Sequence, residues 1–171
     1  MSSSSGAARP VRFKVEFQSC PVEASLGVLG RKWALLVLRD IALFRAQRFN
    51  EMMRATPRMT KRTLSLRLNE LEREGFIVRA ERGPQYTRWE VTAKGRDVLP
   101  VLMTLVQFGS KWHADRVFTD HRPRSLIEVF DTRYVRRVLN PTKEIRKTRP
   151  ATRGVLELGG KLPGPPAIAE T

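Results

Sequence analysis

Arg62, Ser65 and Asn69 stand at i, i+3 and i+7 in the stretch TKRTLSLRLNELERE, Thr60 to Glu74, and at helical spacing they share one side. A guanidinium, a hydroxyl and a carboxamide in such a row suit the edges of DNA bases. Arginine offers two donors to guanine O6 and N7, and asparagine a donor and an acceptor to adenine. Leu66 lies on the same side and reads either as a contact for a thymine methyl or as a residue packed on a neighbouring helix. Arg58, Thr60 and Lys61 at the start of the stretch, with Arg82 and Arg88 downstream, are candidates for phosphate contacts.

A second chemistry belongs to Cys20, the single cysteine, which stands before Pro21 at the start of a helical segment. The positive end of a helix, helped by Arg31 or Lys32, would favour its thiolate. The competing reading is a small hydrophobe helping a dimer core. With one cysteine, any disulfide must join two chains or trap a small thiol.

These residues need elements to hold them. Leu64, Leu68 and Leu71 fall within roughly 60° of each other on a helical wheel, so the stretch buries one narrow side and frees the other. Its acids, Glu70, Glu72 and Glu74, come late, opposite to what the helix dipole favours, as expected of a helix that pushes a cationic N-terminus into a groove. Alone, the stretch reads equally well as an amphipathic surface helix.

Its surroundings favour the groove. Val22 to Leu29 reads as a helix started by Pro21 and ended by Gly30, and Lys32 to Phe44 as a buried core helix. Arg48 to Arg54 is a one-faced helix of two turns, followed by the turn Thr56-Pro57-Arg58-Met59, with Thr60 as the next N-cap. After Gly75, which suits a left-handed cap, the period switches to two. Phe76 to Glu81 and Tyr86 to Thr92 form a hairpin around Gly83-Pro84, with Arg79, Arg82 and Arg88 at its tip and shoulders for phosphate or minor-groove contacts. Thr92 then caps a long helix to about Val117, bent at Pro100. Its stripe of Val98, Leu102, Leu105, Phe108 and Trp112 either packs within the chain or joins a second copy. The fold class expected is mainly α with a small β-hairpin, a winged helix-turn-helix with terminal dimerisation helices.

The organisation expected is a flexible arm over 1–19, a DNA-binding and dimerisation domain over 20–118, a basic helix over 119–139 and a disordered basic tail over 140–171. Lys plus Arg number 32 against 17 Asp plus Glu, a net charge of +15, which draws polyanions, nucleic acid first and anionic membrane second. The excess is not confined to a tail: residues 20–118 hold eighteen basic against ten acidic side chains. No apolar run reaches the ~20 residues of a membrane span, and the Ser-rich start does not resemble a secretion signal, so a cytoplasmic location with no membrane partner is expected. An enzyme is not expected, nor a cofactor. His113 and His121 lack partners at metal spacing, and no phosphate-binding glycine loop or serine elbow occurs.

Specific words narrow the class. Cys20-Pro21-Val22-Glu23-Ala24, Gly30-Arg31-Lys32-Trp33, Arg48-Phe49-Asn50-Glu51, Leu64 with Leu68-Asn69-Glu70-Leu71-Glu72, Gly75-Phe76-Ile77, Thr92-Ala93-Lys94-Gly95 and Leu99-Pro100-Val101-Leu102 run in order over about 20–118. As a set they resemble the HxlR-type branch of the MarR-like bacterial transcription regulators. The resemblance implies a homodimer on operator DNA, often a repressor, with terminal helices forming the dimer and the second helix of the motif in the major groove. It also implies a possible oxidant switch at Cys20, whereas any small-molecule effector stays unknown. Two features depart from the pattern: the short wing turn Arg82-Gly83-Pro84-Gln85, and the extension from Thr119 to Thr171. The rival from another class is a nonspecific architectural or RNA-binding basic protein, which would use the charge without a defined reading face.

Overall fold

Thr60 opens the helix around which the rest is packed. In the computed structural model its backbone is extended and its hydroxyl accepts the Thr63 N–H, so the helix that follows, α4 (Lys61–Arg73), starts where a threonine N-cap requires. The structure describes residues 15, 17–82 and 87–139, with the side chains of 81 and 82 left out. The expected tail over 140–171 and most of the expected arm therefore lie outside the described residues.

Before α4 come α1 (Pro21–Leu29), α2 (Ala34–Ala42) and α3 (Phe49–Ala55), and after it β1 (Ile77–Arg82) and β2 (Thr87–Val91). The two strands pair antiparallel, Ile77 opposite Val91 and Arg79 opposite Trp89, with a register shift between Arg79 and Glu81. Arg48 adds an isolated bridge to Arg88 on the free side of β2. Then follow α5 (Ala93–Arg96), α6 (Leu99–Trp112), α7 (Ala114–Val117), α8 (Leu126–Val129) and α9 (Thr132–Leu139).

The core forms where the apolar stripes meet. Val37, Leu38 and Ile41 of α2, Met52 of α3, Leu64, Leu68 and Leu71 of α4, Ile77 and Trp89 of the hairpin, and Leu99, Leu102 and Met103 of α6 are all buried together. Burying a leucine or methionine side chain is worth about 1.5–3 kcal/mol, so this cluster dominates the stability of the domain.

Several expected boundaries shift for local reasons. The core helix begins at Ala34 rather than Lys32, because Trp33 sits in the left-handed region at φ 78° and Arg31–Trp33 make a turn instead. The long helix expected from Thr92 to about Val117 is three helices, α5, α6 and α7. Pro100 does not bend a continuous helix: it occupies the first turn of α6, where its missing N–H costs nothing. The basic segment 119–139 folds as two short helices, with Leu126, Tyr134, Val135 and Val138 buried in the common core while Ile127 stays exposed. Gln107 of α6 accepts the Leu126 N–H at 2.9 Å and helps seat this segment.

Two glycines are required by geometry. Gly75 takes φ +74° at the exit of α4. At Gly95 a Cβ would come within 2.1 Å of the Phe76 carbonyl oxygen, so nothing larger fits without moving backbone.

Candidate nucleic-acid interface

Leu64, Leu68 and Leu71 anchor α4 to the core, which leaves Lys61, Arg62, Ser65, Leu66 and Asn69 exposed along one side. Thr60 and Arg58 are exposed at its N-terminal approach. Leu66 thus lies on the open side with about half its surface accessible, 49%, rather than against a neighbouring helix of its own chain. Arg62, Ser65 and Asn69 share one accessible row, with cationic Lys61 and Arg58 at the end where the helix dipole is positive.

The late acids have a structural use. Glu70 accepts Arg31 at 2.6 Å and also pairs with Arg67, while Glu72 pairs with Arg79 at 2.9 Å. Arg31 precedes α2 and Arg79 belongs to β1, so the acidic half of α4 is stitched to the elements on either side while its cationic half points outward. The adverse dipole is further offset by Lys94, whose Nζ donates to the Glu74 carbonyl at 2.7 Å, at the negative end of the helix.

The word Thr92-Ala93-Lys94-Gly95 is a clamp on this same corner. The Thr92 hydroxyl donates to the Gly75 carbonyl at 2.6 Å and accepts the Gly95 N–H at 3.1 Å. Lys94 lies over the Phe76 ring at 4.4 Å, and Gly95 allows the Phe76 carbonyl to approach. These residues fix the exit of α4, and with it the pose of the exposed row.

A buried polar network holds the entry. Asp40 of α2 is fully buried. Its Oδ1 accepts Arg39 Nε and Nη2 at 2.9 and 2.5 Å, and its Oδ2 accepts the Thr56 hydroxyl at 2.7 Å. Thr56 lies in the turn between α3 and α4, so the network ties that turn to the core. Burial pushes the Asp40 carboxyl above the ordinary range, while Arg39 and the Thr56 hydroxyl hold the rise back.

Other expected positions fall differently. Arg79 is no outward shoulder. It pairs with Glu72, donates to Asn69 Oδ1 at 3.3 Å and stacks over Trp89 at 4.7 Å, because the register places it on the core face opposite that ring. Arg88 is engaged at the free edge of β2, its Nε donating to Gln47 Oε1 at 2.9 Å and its Nη2 pairing with Glu90 at 3.4 Å. Arg82 ends β1, and its side chain lies outside the described ones. Val98 and Leu102, expected at an interface between chains, are buried within this one as members of its core. Leu105, Phe108 and Trp112 remain exposed at 48, 55 and 63%, joined by Val101 at 46%. Cys20 is exposed at the N-cap of α1, so it is not a buried hydrophobe of its own chain.

Sequence reasoning missed one feature altogether. Arg45, Gln47, Arg48, Glu51 and Arg88 line an open pocket of about 370 Å³ along the free edge of β2. The only local signal is the pair Arg45 and Arg48, and Arg88 joins them through a strand pairing across forty positions that no periodicity reveals.

A helix-turn-helix built from α3 and α4, with a two-stranded wing behind it and an exposed row of hydrogen-bonding side chains, is the architecture of a winged helix-turn-helix domain. A profile of HxlR-like helix-turn-helix proteins matches residues 28–117, more than half of the 171-residue chain. The chain belongs to the HxlR-like helix-turn-helix family. It is 36% identical over 104 residues to the uncharacterized HTH-type transcriptional regulator YdeP of Bacillus subtilis, a match covering 60% of this chain and 80% of that one. It is 38% identical over 96 residues to the uncharacterized HTH-type transcriptional regulator sll1512 of Synechocystis, covering 54% and 70%. Among solved structures, that of PA1607 aligns with a TM-score of 0.52 at 32% identity, covering 63% of this chain and 72% of that one. This HxlR-like protein is accordingly a transcriptional regulator with a helix-turn-helix DNA-binding domain. Among the described residues no helix is long and apolar enough to cross a membrane, and no group of His, Cys, Asp or Glu is placed to hold a metal ion.

Proposed function

We propose that the protein binds an inverted-repeat operator as a homodimer and represses transcription from it, with oxidation of Cys20 or a small effector tuning the affinity. The observation that carries this reading is the row Arg62, Ser65, Leu66 and Asn69, exposed on a helix whose other side is buried, so that it can meet only an external partner. In the dimer the two copies of α4 would stand about 34–36 Å apart, on successive major grooves. Arg62, Ser65 and Asn69 read base edges, with Leu66 against a thymine methyl. The Asn69 carboxamide oxygen takes one bond from Arg79 and keeps a second lone pair, so the amide is oriented before DNA arrives. Arg58, Thr60, Lys61, Arg82 and Arg88 serve phosphates.

The dimer rests on the exposed apolar side of α6, Val101, Leu105, Phe108 and Trp112, with Val22 and Leu26 exposed on α1 as further terminal-helix surface. Four large apolar groups in register on one helix are too many for solvent and are the size of surface a second copy covers.

The test is a competition gel shift of the DNA upstream of the gene against random duplex at ~150 mM salt, where the phosphate contribution is screened. A large preference for the upstream DNA is expected. Equal competition would end the operator reading and leave a nonspecific basic binder. For the switch, diamide should release wild-type protein from that DNA and leave Cys20→Ser bound; an identical response of the two rules Cys20 out.

A further inference from the structure

We propose that the exposed side of α9, led by Arg133 and Arg136, is a second surface for the phosphate backbone of duplex DNA, outside the helix-turn-helix itself. What points to it is where the fold leaves cations without a partner. Most described lysines and arginines are engaged: Arg31, Arg67 and Arg79 hold acids of α4, Arg39 holds Asp40, and Lys94 and Arg96 donate to backbone carbonyls. Among the described residues, the cationic side chains with no hydrogen bond, ion pair or ring contact fall in two groups. Arg54, Arg58, Lys61 and Arg62 form the first, all exposed on the helix-turn-helix. Arg122, Arg133 and Arg136 form the second, all exposed on the extension that follows the matched region 28–117.

The acids of the extension are engaged elsewhere. Residues 119–139 hold three of them. Asp120 pairs with Arg124 at 2.6 Å, and Glu128 Oε2 accepts the N–H and hydroxyl of Ser125 at 2.8 and 2.5 Å. Asp131 Oδ1 accepts the N–H groups of Arg133 and Tyr134 at 2.9 and 3.2 Å, so its carboxylate caps α9 instead of neutralising the arginine side chains. Tyr134, Val135 and Val138 bury the other side of the helix, which leaves Arg133 and Arg136 one turn apart on the outer one. Residues at that spacing stand about 5–6 Å apart at Cβ, and guanidinium forks match phosphate oxygens. A basic arm attracts DNA without folding. Docking this segment in the core costs chain entropy and in return fixes where its cations stand.

The helix also stands near the part of the motif that would meet the backbone. Burial pushes the Tyr134 hydroxyl up, and Arg137 and Arg45 hold the rise back, so α9 lies near the loop that carries Arg45, three residues before the N-cap of α3. As the first helix of the motif, α3 is the one that crosses the DNA backbone when the second sits in the major groove. Arg137 itself lies over the Tyr134 ring at 6.0 Å and is left out of the contact. An anionic membrane suits the charge but not the helix. An interfacial helix needs its apolar side for the bilayer, and α9 has buried that side in its own core. This role for α9 rests on the reading of α4 as a DNA-binding helix, since one duplex meets both.

The test titrates full-length protein with random duplex over a range of salt, which isolates the phosphate contribution. Arg133→Gln with Arg136→Gln should lower the salt slope by about two units per protomer. Arg133→Lys with Arg136→Lys should keep most of it, because the contribution follows charge. Arg73→Gln with Arg116→Gln removes the same charge from exposed positions in the last turn of α4 and in α7, and should leave the slope unchanged. Circular dichroism and melting temperature should match wild type in every variant, since each substituted side chain is exposed. An unchanged slope in Arg133→Gln with Arg136→Gln, or an equal fall in Arg73→Gln with Arg116→Gln, overturns the surface. Loss of binding to phosphatidylserine vesicles by the α9 glutamine pair, with its DNA slope intact, overturns it too and gives the side to a membrane. Lys61→Gln run in parallel separates the two readings. A slope lowered by Lys61→Gln alone removes α9 and keeps α4, whereas one lowered by the α9 pair alone supports α9 and counts against α4.

Discussion

Helices α4 and α6 are of similar length, and each buries a run of leucines or methionine in one core, yet their outward sides have nothing in common. On α4 the free side carries Arg62, Ser65, Leu66 and Asn69; on α6 it carries Val101, Leu105, Phe108 and Trp112. Inner sides of this kind are interchangeable in chemistry, since burial rewards area without direction. Outer sides are not, because hydrogen-bond donors lose nothing in water while four exposed apolar groups do. What each helix could take as a partner therefore differs with the side that the fold leaves open.

Substitutions on the two sides should separate these roles. The largest effect is expected on the inner side, where Leu64→Ala and Leu102→Ala should each cost about 2–5 kcal/mol, measured by urea unfolding, because both leave a cavity in one shared core. A markedly smaller loss for Leu102 would place that residue outside the core. Next in size, Phe108→Glu with Trp112→Glu should dissociate the proposed dimer, raising its Kd at least a hundredfold in sedimentation experiments while the monomer keeps its helical spectrum. An unchanged sedimentation coefficient would take the interface off α6.

On the reading side, Arg62→Ala should cost about 1–3 kcal/mol on its preferred site and relax the preference at one base pair. Lys61→Ala should weaken operator and random DNA alike and lower the salt slope by about one unit. Equal loss on all sequences for Arg62→Ala would reduce it to a phosphate contact. The smallest effect concerns the support of α4. Asp40 has its carboxyl raised above 3.8 in the folded state, so the folded protein keeps this proton where the unfolded chain has lost it. That contribution to stability is present below pH 3.8 and fades as pH rises through the folded value. Asp40→Asn should remove this downward slope from a stability profile followed upward from pH 3.8; an unchanged profile would show that the slope comes from other groups.

The parts of α4 that the chain itself spells out are those decided within a turn or two. Thr60 caps it, Leu64, Leu68 and Leu71 bury it, and Gly75 ends it, each through neighbours close in sequence. The hairpin is equally local, since its two alternating runs lie close together in the chain. The division of the C-terminal stripe was less legible. Val98, Leu102, Leu105, Phe108 and Trp112 look alike in sequence, and only their place against the packed core sends the first two inward. Arg79 and Arg88 likewise look like surface cations until the register aims one at Glu72 and Trp89 and the other at Gln47.

The sequence by itself determined the four helices up to Arg73, the pair of strands after them, and which side of α4 carries the hydrogen-bonding row, because periodicity and caps act over a few residues. Tertiary structure alone decided which apolar residues stay uncovered, why the late acids of α4 are needed, and that Arg45, Arg48 and Arg88 line one open pocket. The physical reason is that burial and charge pairing depend on distance in space, and those partners are separated by tens of residues along the chain.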